Sequence, residues 1–366
     1  MQACRYSALA SAAGAATLLG VVNTMTRMNC SIHARRMASV SRACRVVLVA
    51  CGLLCASVLN AEDRAPQFRW VQIERHDRNP VLSAVPGTWE AIWFVVDSVV
   101  EAGGEYRMYY SAAVASDKKK SQLGLATSRD GAVWERHKAN PIWQNAWHHF
   151  LRDVRVRQSG PSDFWLYYSD GDRHLDLARS TDGIHWTNDA RSPILTPSQP
   201  WEDFVMQPCV LKTGDTWRMW YSTYGRKSRV TGYATSKDGI HWDKHAANPV
   251  LLLGKPGEWD DYSAFQPFVF EQDGCFHMIY TGSCKTNETG YRLGHAWSKD
   301  GLSWTKSPQN PIVAPGEKGA WDGGKISCPA LLRTSADTFN IYYSGARMPT
   351  ATYEGIGFVC ARLRKL

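Results

Sequence analysis

The chain has 366 residues with 16 Trp, 15 Tyr, 29 Gly and 17 Pro, a balance that suits many short strands joined by tight turns and excludes a helical bundle. Its formal net charge of +8 is concentrated at the N-terminus, where residues 1–61 hold Arg5, Arg27, Arg35, Arg36, Arg42 and Arg45 and no acidic residue. The other 36 of the 42 Lys and Arg nearly cancel the 34 Asp and Glu, so residues 62–366 carry no electrostatic footprint for nucleic acid.

In chain order, the first element is the apolar stretch Val46–Leu59, preceded by Arg42 and Arg45 and followed by small residues. It is short for a bilayer span, and the order charged, apolar, small reads as a secretory signal cleaved near Ala61. Residues 1–61 are therefore assigned to a signal peptide and leader, with Met37 as an alternative start. The alternatives are an uncleaved anchor and a lipoprotein on Cys55, against which the bulky Leu54 stands. Residues 62–366 are expected to be secreted or periplasmic, monomeric and without a transmembrane span. Five of the ten Cys fall in the leader, leaving Cys209, Cys275, Cys284, Cys328 and Cys360. This odd set lacks paired metal-ligand spacing and reads as mostly buried thiols, with one disulfide left open. No cofactor is expected, and the residues carry no reading on a structural Ca2+.

A repeat then runs to the C-terminus. Asn79-Pro80, Asn140-Pro141, Ser192-Pro193, Asn248-Pro249 and Asn310-Pro311 are each followed by a Trp, namely Trp89, Trp147, Trp201, Trp259 and Trp321, spaced 58, 54, 58 and 62 residues apart. After each Trp comes an aromatic strand ending at Tyr110-Ser111, Tyr168-Ser169, Tyr221-Ser222, Tyr280-Thr281 or Tyr343-Ser344. Ser-x-Asp-Gly-x-x-Trp segments follow at Ser128–Trp134, Ser180–Trp186, Ser236–Trp242 and Ser298–Trp304. Self-similarity at a near-fixed period is the mark of a repeat architecture. Each unit predicts four strands, as in unit three: Val205–Lys212, Thr216–Ser222, Gly232–Ser236 and Trp242–His245. Asp-Gly marks the hairpin between strands three and four, since Gly takes positive φ cheaply. These segments resemble the Asp-boxes of sialidase-type propellers and are read as structural. The fifth unit lacks a fourth strand and an Asp-box, and the N-terminal Trp70 and Asn79-Pro80-Val81 have what it lacks. The expected fold is thus all-β, a five-bladed β-propeller of four antiparallel strands per blade. Residues near Phe68–Glu74 would supply the last outer strand and close the ring.

The first strand of each blade lines the channel of a propeller, and these are predicted at Phe94–Val100, Leu151–Val156, Val205–Leu211, Phe265–Phe270 and Ile326–Leu332. Aligned on the Tyr-Ser pairs, units three to five show Gln207-Pro208, Gln266-Pro267 and Cys328-Pro329 at one level. Unit one shows Val96-Asp97 there, and unit two Arg152-Asp153 if a short insertion is allowed. Two units thus place a carboxylate where the others place Pro, and a repeat that breaks its own pattern with an acid at the axis points to chemistry. Trp93, Trp147, His148, His149, Gln207, Gln266, Lys325 and Arg152 fall near the entries of these strands and are candidate sugar-binding groups. The loops Tyr224–Val230, Cys284–Arg292 and Met348–Glu354 are expected at the mouth, where specificity is set.

With Asn248-Pro249-Val250, Ser236-Lys237-Asp238-Gly239 and Leu151-Arg152-Asp153-Val154 in view, residues 66–366 resemble the five-bladed propeller glycosidases. This is the clan of glycoside hydrolase families 43 and 32 and the related mannoside phosphorylases of family 130. The resemblance implies that Asp97 is the base or nucleophile and that Asp153, near an Arg-Asp-Pro pattern, stabilises the transition state. It also implies a Glu general acid in blade three, but Met206-Gln207-Pro208-Cys209 has none. Asp203, and after it Asp261, are the candidate replacements. The acids that follow Trp in four units, Glu90, Glu202, Asp260 and Asp322, read as structural.

The function expected is a secreted glycoside hydrolase with paired carboxylates, acting on an oligosaccharide or polysaccharide. One carboxyl would stay protonated for the leaving oxygen while the other activates water or attacks carbon. The alternatives are a non-catalytic carbohydrate-binding propeller, favoured by the absent Glu, and a clan-related glycoside phosphorylase. A sialidase would need six blades and an arginine triad at the axis.

Overall fold

The computed structural model describes residues 67–144, 151–169, 171, 173–225, 229–347 and 352–366, without the side chains of residues 117–120 and 152. The signal reading of residues 1–61 lies outside the described residues, as do Trp147, His148, His149 and the side chain of Arg152.

The described chain is all β. Two strands, β1 (Phe68–Arg75) and β2 (Leu82–Ser83), precede five repeating groups. The first is β3 (Ile92–Ala102), β4 (Glu105–Val114), β5 (Asp117–Ser128) and β6 (Glu135–Arg136). The second is β7 (Arg152–Gly160), β8 (Asp163–Ser169), β9 (Leu175–Ser180) and β10 (Thr187–Asn188). The third is β11 (Phe204–Thr213), β12 (Thr216–Tyr224), β13 (Arg229–Ser236) and β14 (Asp243–Lys244). The fourth is β15 (Ser263–Gln272), β16 (Cys275–Cys284), β17 (Asn287–Ser298) and β18 (Thr305–Lys306). The last has only β19 (Lys325–Arg333), β20 (Thr338–Ala346) and β21 (Gly355–Lys365) from the C-terminal chain. Within each group neighbouring strands pair antiparallel, and β1 pairs antiparallel with β21, from Phe68 opposite Lys365 to Arg75 opposite Val359. The first strands touch in succession, β3 against β7, β7 against β11, β11 against β15, β15 against β19 and β19 against β3.

The repeated motifs have local physical causes. Each Asn of Asn-Pro bonds both ways to a third strand. Asn140 Nδ2 donates to Leu125 O at 2.9 Å and Asn140 Oδ1 accepts from Leu125 N at 2.9 Å. Asn248 does the same with Tyr233, and Asn310 with His295. Asn79 reaches Phe358 of β21 in this way, at 2.7 and 3.0 Å. The acid that follows Trp in four units is buried and accepts from the Tyr of its unit: Tyr110 to Glu90 at 3.0 Å, Tyr221 to Glu202 at 2.9 Å, Tyr280 to Asp260 at 2.8 Å and Tyr343 to Asp322 at 3.0 Å. A cation from an outer strand completes each set: Arg136 at 2.8 Å, Lys244 at 2.5 Å, Lys306 at 2.5 Å and, for Asp322, Arg75 of β1 at 3.2 Å. A buried carboxylate is tolerable only when paired in this way.

The Ser-x-Asp-Gly turns join units together. Ser180 Oγ accepts from Gly183 N at 2.9 Å, and Asp182 Oδ1 accepts from Ile184 N at 2.8 Å and His185 N at 2.9 Å. Gly183 has φ 76°, and a Cβ there would stand 2.7 Å from the Tyr109 hydroxyl. That hydroxyl donates to Gly183 O at 3.0 Å, from the preceding unit. Tyr167 donates likewise to Gly239 O, Trp220 to Gly301 O and Tyr342 to Gly131 O. The matching position in unit four is Ile279, opposite Phe268, which packs in one apolar cluster with Phe68 and Trp70 of β1. Cys209, Cys275, Cys284, Cys328 and Cys360 form no disulfide with one another.

Behind β1 lies a buried pair, His277 and His295, with rings stacked at 5.3 Å and His277 Nδ1 3.1 Å from His295 Nε2. Phe68 meets the His277 ring edge-on at 4.4 Å. Burial holds His277 down to about 4, and burial with the neighbouring His277 holds His295 well below its usual range. Folded pKa values below the unfolded value of about 6.5 mean that the unfolded chain takes up protons the folded chain refuses. Stability is therefore complete above about pH 6.5 and falls as pH drops towards 4. In thermal melts at pH 4.5 to 7, a His277→Phe variant should show a shallower fall in Tm than the parent; an unchanged slope would count against this account.

Candidate active site

In every unit the first strand carries one extra residue where it crosses the level of the buried Tyr. Asp153-Val154 lie between the paired residues Arg152 and Arg155, Gln207-Pro208 between Met206 and Cys209, Gln266-Pro267 between Phe265 and Phe268, and Cys328-Pro329 between Ser327 and Ala330. In unit one Asp97 is the extra residue, between Val96 and Ser98. Such bulges re-aim side chains, and residues of these five bulges supply eight of the ten that line one small void, Val96 and Arg155 being the other two. Asp153, Gln207, Gln266 and Cys328 have φ of 54°, 54°, 54° and 56°. This region costs a residue with a side chain about 1–3 kcal/mol and collects at functional sites.

The bulges correct the alignment read from sequence. Asp97 does stand at the Pro position, but Asp153 stands level with Gln207, Gln266 and Cys328, and Val154 takes the Pro position. Arg152 pairs with Ser169 as Met206 pairs with Ser222, so the register needs no insertion. The two acids therefore come from different levels of adjacent strands.

Asp97 is 5% exposed. Its Oδ2 accepts from the Ser111 hydroxyl, and its Oδ1 accepts from Val154 N at 3.1 Å. Arg155 Nη1 donates to the main-chain O of Asp97 at 2.8 Å, and Arg155 lies 4.6 Å from the Phe268 ring centre. Burial pushes the Asp97 carboxyl up to about 8. The charge of Asp153 adds to the rise, and Ser111, Val154 N and Arg155 oppose it. Asp153 Oδ1 accepts from Gln207 Nε2 at 3.1 Å. Gln207 is itself buried, and its Oε1 has no partner among the described residues. Gln266 and Cys328 bond each other, Gln266 Nε2 to Sγ at 3.2 Å and Cys328 N to Gln266 Oε1 at 3.1 Å.

Above this ring opens a cavity of about 260 Å³. Trp93, Tyr224, Phe265, Tyr291 and Tyr353 form its aromatic wall, and Ser111, Asp153, Gln207, Gln266 and Lys325 contribute polar groups. Lys325 Nζ lies 4.7 Å from the Tyr353 ring centre and 5.7 Å from that of Tyr291. Beside this wall, Arg229 donates to the Tyr291 hydroxyl, and its guanidinium lies 4.8 Å from the Tyr224 ring centre and 5.6 Å from that of Phe265. Trp93, Gln207, Gln266 and Lys325 thus come together with Asp153, as their places near the strand entries suggested. Tyr224, Arg229, Tyr291 and Tyr353 belong to the three loops expected at the mouth, but Phe265 was missed as a site residue. The signal for it was present in the aromatic start of the predicted strand Phe265–Phe270.

The two replacement acids do not join this site. Asp261 spends its carboxylate on main-chain groups of its own loop and of the β16–β17 turn, accepting from Gly257 N and Lys285 N at 2.8 Å each. These two bonds hold it below the usual carboxylate range, opposite to what a proton donor needs. Asp203 sits at the entry to β11, its main-chain N donating to Tyr224 O at 2.8 Å, and it lines neither the void nor the cavity.

No family model matches the chain. Over 218 residues it is 27% identical to "Uncharacterized protein MT1551" of Mycobacterium tuberculosis (strain CDC 1551 / Oshkosh), spanning 54% of this chain and 69% of that protein. A glycosyl hydrolase from Bacteroides ovatus superposes with a TM-score of 0.62 at 18% identity, over 79% of this chain and 94% of that one. A beta-1,2-mannobiose phosphorylase from Listeria innocua gives a TM-score of 0.62 at 17% identity, over 80% and 97%. The fold is that of the propeller-like glycosidase clan. It hosts both hydrolases and phosphorylases, so the reaction has to be argued from the site.

Proposed function

We propose that this chain is a glycoside hydrolase that removes a sugar from the end of an oligosaccharide or polysaccharide, with Asp97 and Asp153 as its carboxyl pair. The observation that carries the reading is a carboxyl, Asp97, kept protonated near neutral pH by burial and coupled to a second carboxyl, Asp153, under an aromatic-walled cavity. With the proton on Asp97, the negative charge of the pair resides on Asp153. Asp97 then supplies the proton for the leaving oxygen, and Asp153 receives the proton of the attacking water. This gives Asp97 the acid's role that the resemblance assigns to a blade-three Glu, and gives Asp153 the base's role it assigns to Asp97. Aromatic faces suit the apolar faces of a sugar ring. The volume of about 260 Å³, just below the range of about 300–1,000 Å³ for small-molecule sites, suits one ring rather than a chain.

The scaffold in this reading is a five-bladed propeller closed by its N-terminal strand. It is supported by the succession of first strands, which returns from β19 to β3, and by Arg75 and Asn79, which complete the last unit as Arg136 and Asn140 complete the first. Residues 1–61 would export the domain, on the strength of their charged, apolar and small order.

A phosphorylase is the second reading, favoured by the two cations Lys325 and Arg229 at the cavity wall. Residues 62–366 should be assayed against aryl glycosides and plant, fungal and bacterial oligosaccharides, with and without inorganic phosphate. Turnover is expected in phosphate-free buffer, falling by about 10³-fold or more in Asp153→Asn with binding retained. Turnover that requires phosphate would favour the phosphorylase, and binding with no turnover in either buffer would favour a carbohydrate-binding protein.

A further inference from the structure

We propose that Ser111 is a proton relay, its hydroxyl passing the proton between Asp97, which is sealed beneath the cavity, and the oxygen of the departing sugar. The inference rests on the hydrolase reading above. Ser111 and Asp153 line the 260 Å³ cavity, whereas Asp97 lines only the small void below it. Both oxygens of Asp97 are engaged, Oδ1 by Val154 N and Oδ2 by Ser111, so the group that joins it to the cavity is the Ser111 hydroxyl.

The other units show what this serine does where no acid is present. Ser169 Oγ accepts from Gln207 N at 3.3 Å, Ser222 Oγ from Gln266 N at 2.7 Å, and Ser344 Oγ from Val96 N at 2.8 Å. Each of these hydroxyls receives a main-chain N–H of the next bulge and so serves the joint between units. Ser111 occupies the same place in β4 but turns to the carboxyl of its own unit. Asp97 replaces a Pro there, and Pro offers no acceptor side chain.

The transfer balances as follows. With Asp97 protonated the Ser111–Asp97 bond reverses, Oδ2–H donating to Ser111 Oγ, and the freed Ser111 hydroxyl proton goes to the glycosidic oxygen as the bond from that oxygen to the anomeric carbon breaks. The Asp97 proton moves from Oδ2 to Ser111 Oγ and restores the hydroxyl. Water bonds to the anomeric carbon, and its proton goes to Asp153. Asp97 ends ionised and Asp153 protonated, and exchange with solvent resets the pair. Ser111 is neither nucleophile nor base, and its role appears only when the leaving group needs a proton.

The test compares the parent with Ser111→Ala, Ser111→Thr and Asp97→Asn, on an alkyl glycoside and on a dinitrophenyl glycoside, whose leaving group departs without a proton. Thr is tolerable by shape, since Thr281 holds this place in unit four. Ser111→Ala is expected to lose about 10²-fold in kcat on the alkyl substrate with KM within about threefold, and to lose little on the dinitrophenyl substrate. Ser111→Thr should recover most of the loss, and the basic limb of the pH profile should move in Ser111→Ala. If Asp97→Asn loses the alkyl reaction while Ser111→Ala keeps it, Asp97 acts directly and the relay is wrong, although the hydrolase reading stands. An equal loss on both substrates would make Ser111 structural and overturn the relay. A parent that turns over neither substrate, nor any of the panel above, would overturn the relay and the hydrolase reading together.

Discussion

Asp97→Asn should make the protein more stable at pH 7–9 while removing about 10³-fold or more of its turnover. The folded carboxyl is raised to about 8, against an unfolded value near 3.9. Between these values the folded chain holds a proton that the unfolded chain has released. The stability this group lends is therefore complete below about pH 4 and is lost as pH rises through 8. Asn keeps the shape and accepts no charge, so the penalty disappears. Hydrogen bonds from Ser111 and Val154 N already act in that folded value, and the gain from Asn grows as pH rises from about 4 to 8, reaching on the order of several kcal/mol. Calorimetric melts should place the variant level with the parent near pH 4.5 and several degrees above it at pH 8. A constant offset at all pH values would dismiss the linkage. His277 and His295 act over pH 4–6.5 in the opposite sense, so the difference between the two proteins is the quantity to read.

The second large effect concerns β1. A chain beginning at His76 should fail to fold, because it loses Phe68 and Trp70 from the core, the whole pairing with β21 and the cation that neutralises Asp322. Truncating one buried Phe or Trp costs about 3–5 kcal/mol, and a domain has only about 5–15 kcal/mol to lose. Trp70→Ala is the graded version. It should lower Tm by about 6–15 °C without abolishing folding. It also strips the apolar cover from the bonds to Gln309, whose side chain accepts from Trp70 N at 2.8 Å and donates to Trp70 O at 2.9 Å. A truncated chain with the parent's Tm would contradict this role for β1.

The repeat was legible because its signals are local. Asn-Pro, Trp-acid, Tyr-Ser and Asp-Gly each fix a bond or a turn within a few residues, and the strand starts at Phe204 and Ser263 lie within two residues of those read from sequence. The register of unit two was not legible, since a bulge adds a residue without altering composition, and only the opposite strand reveals that Arg152 faces Ser169. Asp261 was misjudged for a related reason. An acid near a strand entry looks the same in sequence whether it faces the axis or, as here, binds Gly257 N and Lys285 N. The wall of the cavity depends on residues far apart in the chain: Arg229 meets Tyr291, and Lys325 meets Tyr353. Nothing in either local sequence announces its partner.

The turns that link neighbouring units also govern which substitutions the repeat can share. Tyr109, Tyr167, Trp220 and Tyr342 each need a glycine carbonyl on the following unit, and Ile279 faces a unit without that turn. Copying Tyr into position 279 would strand a hydroxyl against Phe68 and Trp70, and copying Ile into position 109 would strand the Gly183 carbonyl. Identical substitutions at equivalent places therefore carry opposite consequences, decided by the neighbour. The copies are no longer interchangeable, and a duplication or a swap of units would have to carry both halves of each joint together.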